Sequence, residues 1–211
     1  MLENLVIIGT IAFVHLLGAM SPGPDLAMSV RNSLTYSRRT GIFTAVGFGL
    51  GVAVHVAYCI AGIAVVISRS ILVFSTIKYL GAAYLLYVGI RSLVSRQAGM
   101  ETGTVTKRED VSPLTAVRMG FLTNILNPKA TLFFLGLFTV VISPAAPPPR
   151  SVLIIAGLVM VVDTMLWFAF VAVFLNERHV RSLFERFQVY FNKVFGGVLI
   201  LLGIRIALSR Y

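Results

Sequence analysis

Three ionisable side chains lie within otherwise apolar stretches of the sequence: Asp25, Lys129 and Asp163. Placing a charged group in hydrocarbon costs at least a few kcal/mol, so such residues are commonly functional. A carboxylate can bind an ammonium group or take up a proton, and an ammonium group can bind a carboxylate. Asp163 and Lys129 could instead pair with each other, either as a structural bridge or as a switch for substrate and proton.

Prolines stand directly before the first of these charges. Pro22 and Pro24 flank Gly23 between Ser21 and Asp25, and because each proline removes a backbone donor, no continuous helix can cross this segment. A helix that restarts after such a break presents unpaired N–H groups and a positive dipole end, which would suit an amino-acid carboxylate. Alternatively, Asp25 caps the restarting helix with its own carboxylate.

A similar break precedes the second charge. Asn127 can cap a helix and Pro128 can start one, so the sequence predicts a half-helix that begins beside Lys129. Lys129 is too far from either end of its apolar stretch to reach the interface easily. The two breaks are therefore predicted to hold charged groups near the middle of a membrane.

The inventory of residues excludes the familiar catalytic sites. It contains no Cys/His metal spacing, no phosphate-binding Gly-Lys loop and no Gly-x-Ser-x-Gly motif. His15 and His55 lie in different apolar stretches. Each is interpreted first as a packing residue and second as a proton carrier. The lone Cys59 is also expected to be a packing residue. We therefore expect neither an enzyme nor a bound cofactor or metal.

The elements that must position these residues are membrane-spanning helices. Of the 211 residues, 57% are hydrophobic and 12% are charged, and the mean hydropathy is +0.90, so a soluble core could not cover the apolar surface. We predict an all-α polytopic membrane protein, with the first and fourth of six spans broken at proline. The predicted spans are residues 4–30, 41–67, 71–94, 118–143, 151–175 and 190–208.

The net charge of +10 is explained by the connections between spans rather than by a nucleic-acid surface. The first, third and fifth connections hold 12 Lys and Arg residues, against 5 for the second and fourth connections and the C-terminus. The excess predicts that the odd connections face the cytosol, so that both termini lie on the periplasmic side of a bacterial inner membrane. The longest connection, residues 95–117, is expected to be a solvated cytoplasmic loop.

The two halves of the chain carry similar motifs. Lys78–Gly81 and Gly89–Arg91 in the third span correspond to Lys193–Gly196 and Gly203–Arg205 in the sixth. Because each half has three spans, the second enters the membrane from the opposite face, which is the inverted-repeat design of secondary transporters. We place the repeats at about 1–95 and 117–211 of a single domain; chance recurrence in Gly-rich spans is the alternative.

The second span carries a series of small residues. Gly41, Gly47, Gly49 and Gly51 predict a face that permits close contact with another helix. Packing or dimerisation is expected there rather than chemistry.

Together these motifs resemble those of the LysE/RhtB family of bacterial amino-acid exporters, over nearly the whole length. Asp163 ahead of Trp167 in the fifth span also resembles the pattern of this family, although it is a less distinctive motif. The motifs that carry the resemblance are Ser21–Asp25, the glycines at 41, 47 and 51, Lys78–Arg91 and Gly120–Lys129.

The resemblance implies an inner-membrane exporter of amino acids, driven by proton antiport and working as an oligomer such as a dimer. Few acidic residues lie in the spans, which favours a small neutral substrate such as threonine, homoserine or leucine over lysine or arginine. In the mechanism we expect, the helix starts after Pro22 and Pro128 hold the carboxylate with help from Lys129. Asp25 or Asp163 holds the ammonium group and takes up the proton. The alternatives are a passive facilitator and a non-transporting scaffold.

Overall fold

The computed structural model describes residues 2–69, 71–94, 108–141, 148–174 and 178–208, and these residues form eight helices without any strand. The helices are α1 (Leu2–Met20), α2 (Pro24–Thr35), α3 (Arg38–Arg69), α4 (Ile71–Val94), α5 (Pro113–Ile125), α6 (Pro128–Val141), α7 (Arg150–Phe174) and α8 (Arg178–Leu208).

Six stretches of these helices are long and apolar enough to cross a membrane. Five are single helices: α1, and the apolar parts of α3, α4, α7 and α8. The sixth is α5 followed by α6, which together form one span bent by 59° at a short break. The prediction of an all-α membrane protein with a broken fourth span is confirmed. The chain is also interrupted between α1 and α2, directly after α1, which is long enough to cross the membrane by itself.

Two helix limits differ from the sequence prediction. Helix α5 begins at Pro113, inside the predicted loop, because the Ser112 hydroxyl accepts a hydrogen bond from the Thr115 amide at 3.2 Å and caps the helix. Helix α8 begins at Arg178, so the basic residues assigned to a fifth loop lie on an N-terminal extension of the sixth span. The central connection and the proline-rich connection lie mostly outside the described residues, at 95–107 and 142–147.

Close helix contacts show how the spans run relative to one another. On α4 and α8, Gly89 faces Gly196, and Gly203 faces the carbonyl of Ala82, so these helices are antiparallel. On α3 and α7, Gly41 faces Ala172 and Gly49 faces Met165, which makes this pair antiparallel too. Both pairs join corresponding spans of the two halves, and opposite directions are what inverted repeats require. The repeat boundaries remain a prediction.

The glycine face of α3 packs within the chain. Gly47 approaches the backbone of α5 at Val117 and Phe121, and a Cβ atom at Gly51 would lie 2.5 Å from the Asn124 side-chain oxygen. Gly41 and Gly49 make similar contacts with α7. The glycines therefore form two contact surfaces of α3 within the chain, one toward α5 and one toward α7, rather than the single face predicted.

Two apolar clusters pack against the helices that begin at the breaks. The larger joins α1, α3, α4, α6, α7 and α8 around side chains such as Phe134, Phe138 and Met160, and contains the buried Cys59, which is a packing residue as predicted. The smaller joins α2, α3 and α7 around Phe48 and Phe168. Because α2 and α6 are held by different clusters, the breaks that begin them are fixed in place by tertiary packing.

Candidate functional site

The first break lies between α1 and α2, at residues 21–23. Pro22 and Pro24 cannot donate backbone hydrogen bonds, and Gly23 is fully extended, with φ 179° and ψ −178°. No side chain caps α2, and its first regular bond runs from the Ala27 amide to the Gly23 carbonyl at 3.0 Å. The start of α2 therefore keeps the positive end of its dipole without a capping oxygen.

The second break lies between α5 and α6 and is built differently. The Asn127 side-chain oxygen accepts a hydrogen bond from the Lys129 amide at 3.0 Å, and Pro128 occupies the first helical position of α6. The predicted cap is therefore present. It occupies a donor of α6 that was expected to be free for a substrate carboxylate.

The Asp25 carboxylate turns away from its own helix and toward the second break. One carboxylate oxygen accepts a hydrogen bond from the Asn124 amide group at 2.7 Å, and the other accepts from the Asn127 amide group at 3.2 Å. Asp25 thus binds α5 and the start of α6, so the geometry favours a tertiary role over capping of α2. Each oxygen has further lone pairs for another donor.

The Lys129 ammonium group makes the reciprocal contact with the first break. It donates to the Ser21 carbonyl at 3.2 Å, to the Ser21 hydroxyl at 3.0 Å and to the Pro22 carbonyl at 3.2 Å. These three acceptors use all three of its donors. They lie just past the end of α1, where the negative end of the helix dipole favours a cation.

A cavity of about 50 Å³ lies between the two breaks. A void of this size accommodates about four water molecules. Asp25 and Lys129 both line it, so an anion and a cation from different breaks face one small space. The remaining polar lining includes Ser21, Asn124, Asn127, His15 and Thr164, and the apolar lining includes Phe133, Phe134 and Phe168.

Asp163 is not part of this arrangement. One of its carboxylate oxygens lies 2.9 Å from His15 Nδ1, across the contact between α1 and α7, so the pairing with Lys129 that the sequence left open is not formed. The other oxygen is buried without a hydrogen-bond partner among the described residues. His15 lines the cavity and Asp163 does not, so Asp163 reaches the cavity wall through its contact with His15.

His55 supports the site from behind. Its Nε2 lies 3.2 Å from the Asn124 carbonyl, its Nδ1 lies 2.7 Å from the Tyr58 hydroxyl, and its ring stacks on Phe134 at a centroid distance of 5.1 Å. The side chain is buried and does not line the cavity. His55 therefore contacts Asn124, which binds Asp25, and its role as a packing residue or a proton carrier stays a prediction.

Sequence reasoning missed two polar residues. Asn124 joins Asp25 to His55, and the only available signal was an amide inside a span three residues before Asn127. Lys78 was noted as part of the repeated motif in the third span and counted with the second connection, yet its side chain is 3% exposed within α4, with the ammonium nitrogen 5.0 Å from the centre of the Tyr79 ring. Among the described residues, no group of three or more His, Cys, Asp or Glu side chains could hold a metal ion.

Comparison with known proteins gives the family. The chain is 30% identical to the uncharacterized membrane protein YrhP of Bacillus subtilis, over 89% of this chain and 92% of that protein. It is 25% identical to the threonine efflux protein of Escherichia coli, with coverage of 98% and 100%. It is 27% identical to the homoserine/homoserine lactone efflux protein of Salmonella typhimurium, with 92% of each chain covered. No solved structure matches. The LysE type translocator pattern matches residues 16–210, so the chain belongs to this family of membrane transporters rather than to a family of enzymes.

Proposed function

We propose that the protein exports small neutral amino acids, binding them in the cavity between the two helix breaks. The observation that carries this proposal is the placement of Asp25 and Lys129, which come from different breaks and face the same cavity. A zwitterion needs one group for its ammonium and one for its carboxylate. The efflux of threonine and homoserine named for two relatives is consistent with such a substrate.

Asp25 binds the substrate ammonium group in this mechanism. Its two oxygens already accept from Asn124 and Asn127, which fixes the carboxylate at the cavity wall. An ammonium group in the cavity adds donors that the remaining lone pairs can accept. The bound cation also compensates for the burial of this anion.

The carboxylate is received by the start of α2 and by Lys129. Helix α2 has no side-chain cap, so its first N–H groups suit an anion, whereas α6 is already capped by Asn127. Lys129 must release at least one acceptor at Ser21 or Pro22 before it binds the substrate, because its three donors are all in use. Substrate binding and the contact between the breaks are therefore in competition.

Asp163 and His15 provide the proton coupling. Among the described residues, one buried oxygen of Asp163 has no hydrogen-bond partner, the other lies 2.9 Å from His15 Nδ1, and His15 lines the cavity. A proton taken up by this pair changes the charge beside the bound zwitterion and so its affinity. Uptake from the periplasmic side would release the amino acid outward as the inverted halves move about the site.

The remaining features follow from the same proposal. The chain spans the inner membrane with its Lys- and Arg-rich connections in the cytosol and both termini in the periplasm. A basic amino acid would need a second anion for its side chain, and Asp25 is the only carboxylate among the described residues that line the cavity. The cavity of about 50 Å³ is smaller than a whole amino acid, so binding requires the cavity to widen, which the release of Ser21 and Pro22 by Lys129 would allow.

Flux in proteoliposomes tests the proposal. Purified protein is reconstituted, and the movement of labelled threonine, homoserine, leucine, lysine and arginine is measured with and without an imposed pH gradient. We expect saturable flux of the neutral amino acids that rises with the gradient. Equal flux with and without the gradient would favour the passive facilitator. Absence of any flux from protein shown to be folded would refute amino-acid export.

A further inference from the structure

A second, larger groove of about 640 Å³ meets the cavity at the first break. Ser21 and Lys129 line both spaces, so the contact between them separates the groove from the cavity. The volume is within the range of small-molecule sites, roughly 300–1,000 Å³. Both spaces are partly open to the surface, and the groove is the more open of the two.

One face of α4 forms most of the groove wall. Tyr84, Tyr87, Val88 and Arg91 recur at the spacing of a single helix face, and α8 contributes Asn192. Arg91 lies in the last turn of α4, where its guanidinium group donates to the Tyr87 hydroxyl at 3.3 Å. This arrangement keeps the cationic group close to the groove wall.

The charge of the groove is of one sign. Arg91 and Lys129 are cations, and none of the described residues that line the groove is acidic. A negative group entering the groove therefore meets Arg91 first and Lys129 last. Since the C-terminal end of α4 is predicted to face the cytosol, the groove is open on the side from which an exporter takes its substrate.

We propose that this groove is a loading vestibule, in which Arg91 first holds the carboxylate of a cytosolic amino acid and Lys129 closes the way to the cavity. The inference rests on the proposed function and adds a second carboxylate site to it. Lys129 opens the way when it exchanges Ser21 and Pro22 for the arriving carboxylate. Loading and opening then depend on the same ammonium group.

Initial rates of amino-acid uptake into inside-out membrane vesicles test the role of Arg91. We expect Arg91→Gln to raise the KM about two- to fivefold and to leave the maximal rate unchanged, because the lost ion pair is exposed to solvent. Arg91→Lys should restore most of the affinity. The matched control is Arg205→Gln, which alters the corresponding residue of the other repeat and does not line the groove.

The outcomes separate the two proposals. If unmodified vesicles carry no amino acid, the proposed export function fails. If they carry amino acids and Arg91→Gln has the same KM as the unmodified protein and as Arg205→Gln, export stands and the vestibule is refuted.

Cysteine labelling tests the Lys129 closure without relying on transport. The native Cys59 is buried and is replaced by alanine, so that only an introduced cysteine can react. In this Cys59→Ala background, Ala19→Cys reports on the cavity and Val88→Cys reports on the groove. A membrane-impermeant thiosulfonate applied from the cytosolic side should react with Ala19→Cys about tenfold faster when Lys129→Met is added. The rate at Val88→Cys should not change. An unchanged rate at Ala19→Cys would refute closure by Lys129.

Discussion

The two helix breaks are similar in sequence but differ in how their ends are satisfied. The second is closed by its own residue, since Asn127 caps α6, whereas no side chain caps α2 at the first break. The charged residues are exchanged: Asp25 of the first break binds amides at the second, and Lys129 of the second binds oxygens at the first. A charge near a break therefore need not serve that break. Here each charge ties the two halves of the chain together.

The largest expected effect follows from removing the anion. Asp25→Asn should lower amino-acid efflux more than about 100-fold, because a buried charge that loses its partner is destabilised by several kcal/mol. Exchange of labelled for unlabelled substrate should fall equally, since binding itself is lost. The measurement is flux in proteoliposomes.

Glu3→Gln is the matched control for Asp25→Asn, because Glu3 is exposed in the first turn of α1 and does not line the cavity. Efflux by folded Asp25→Asn protein at more than half the normal rate would exclude Asp25 as the ammonium site.

Removing the cation should have the next largest effect. Lys129→Met keeps the length of the side chain and loses the three donors to Ser21 and Pro22. We expect a fall in efflux of about 30-fold, the scale of one lost charge-assisted hydrogen bond. Lys129→Arg should retain more activity than Lys129→Met in the same flux assay. Equal rates for both variants would show that the positive charge is not required.

A smaller and more selective effect is expected at the pair formed by His15 and Asp163, which lies outside the breaks. Asp163→Asn should reduce gradient-driven efflux about tenfold, the scale of a typical coupling free energy, while exchange at equal pH continues. Comparison of driven efflux with exchange in one preparation distinguishes coupling from binding. Full gradient-driven efflux by this variant would show that a group other than Asp163 carries the proton.

The smallest effects are expected for the stability of variants at the two helix starts. Asn127→Ala removes a cap and one donor to Asp25, so it should destabilise the protein by about 1 kcal/mol, which lowers the melting temperature by roughly 2–4 °C. Gly23→Ala should be nearly neutral, because the backbone there is extended and the new Cβ atom would lie 3.4 Å from the Lys129 ammonium nitrogen. Thermal unfolding in detergent measures both. A larger loss of stability for Gly23→Ala than for Asn127→Ala would contradict the conclusion that only the second break depends on a cap.

Local sequence signals predicted the elements but not their partners. Proline positions and apolar runs located both breaks, and Asn127 before Pro128 identified a cap that depends on contacts within three residues. Asp25 and Asn124 are 99 residues apart, and His15 and Asp163 are 148 apart, so their pairing depends on how the spans pack. The groove was not predicted either, because its walls come from α4, α8 and both breaks. From the sequence, Tyr84 and Tyr87 could be residues of a core or an interface as well as of a pocket wall, and nothing local decides between these.

The most direct test of the central claim is a binding measurement on the purified protein. A labelled neutral amino acid is bound, and displacement is compared for the unlabelled amino acid, its α-hydroxy-acid analogue without the ammonium group, and its amide without the carboxylate. We expect the complete zwitterion to compete at least about tenfold better than either analogue, and Asp25→Asn to lose its preference for the amino acid over the hydroxy acid. If the hydroxy acid competes as well as the amino acid in unmodified protein, the exchanged charges of the two breaks do not form a zwitterion site.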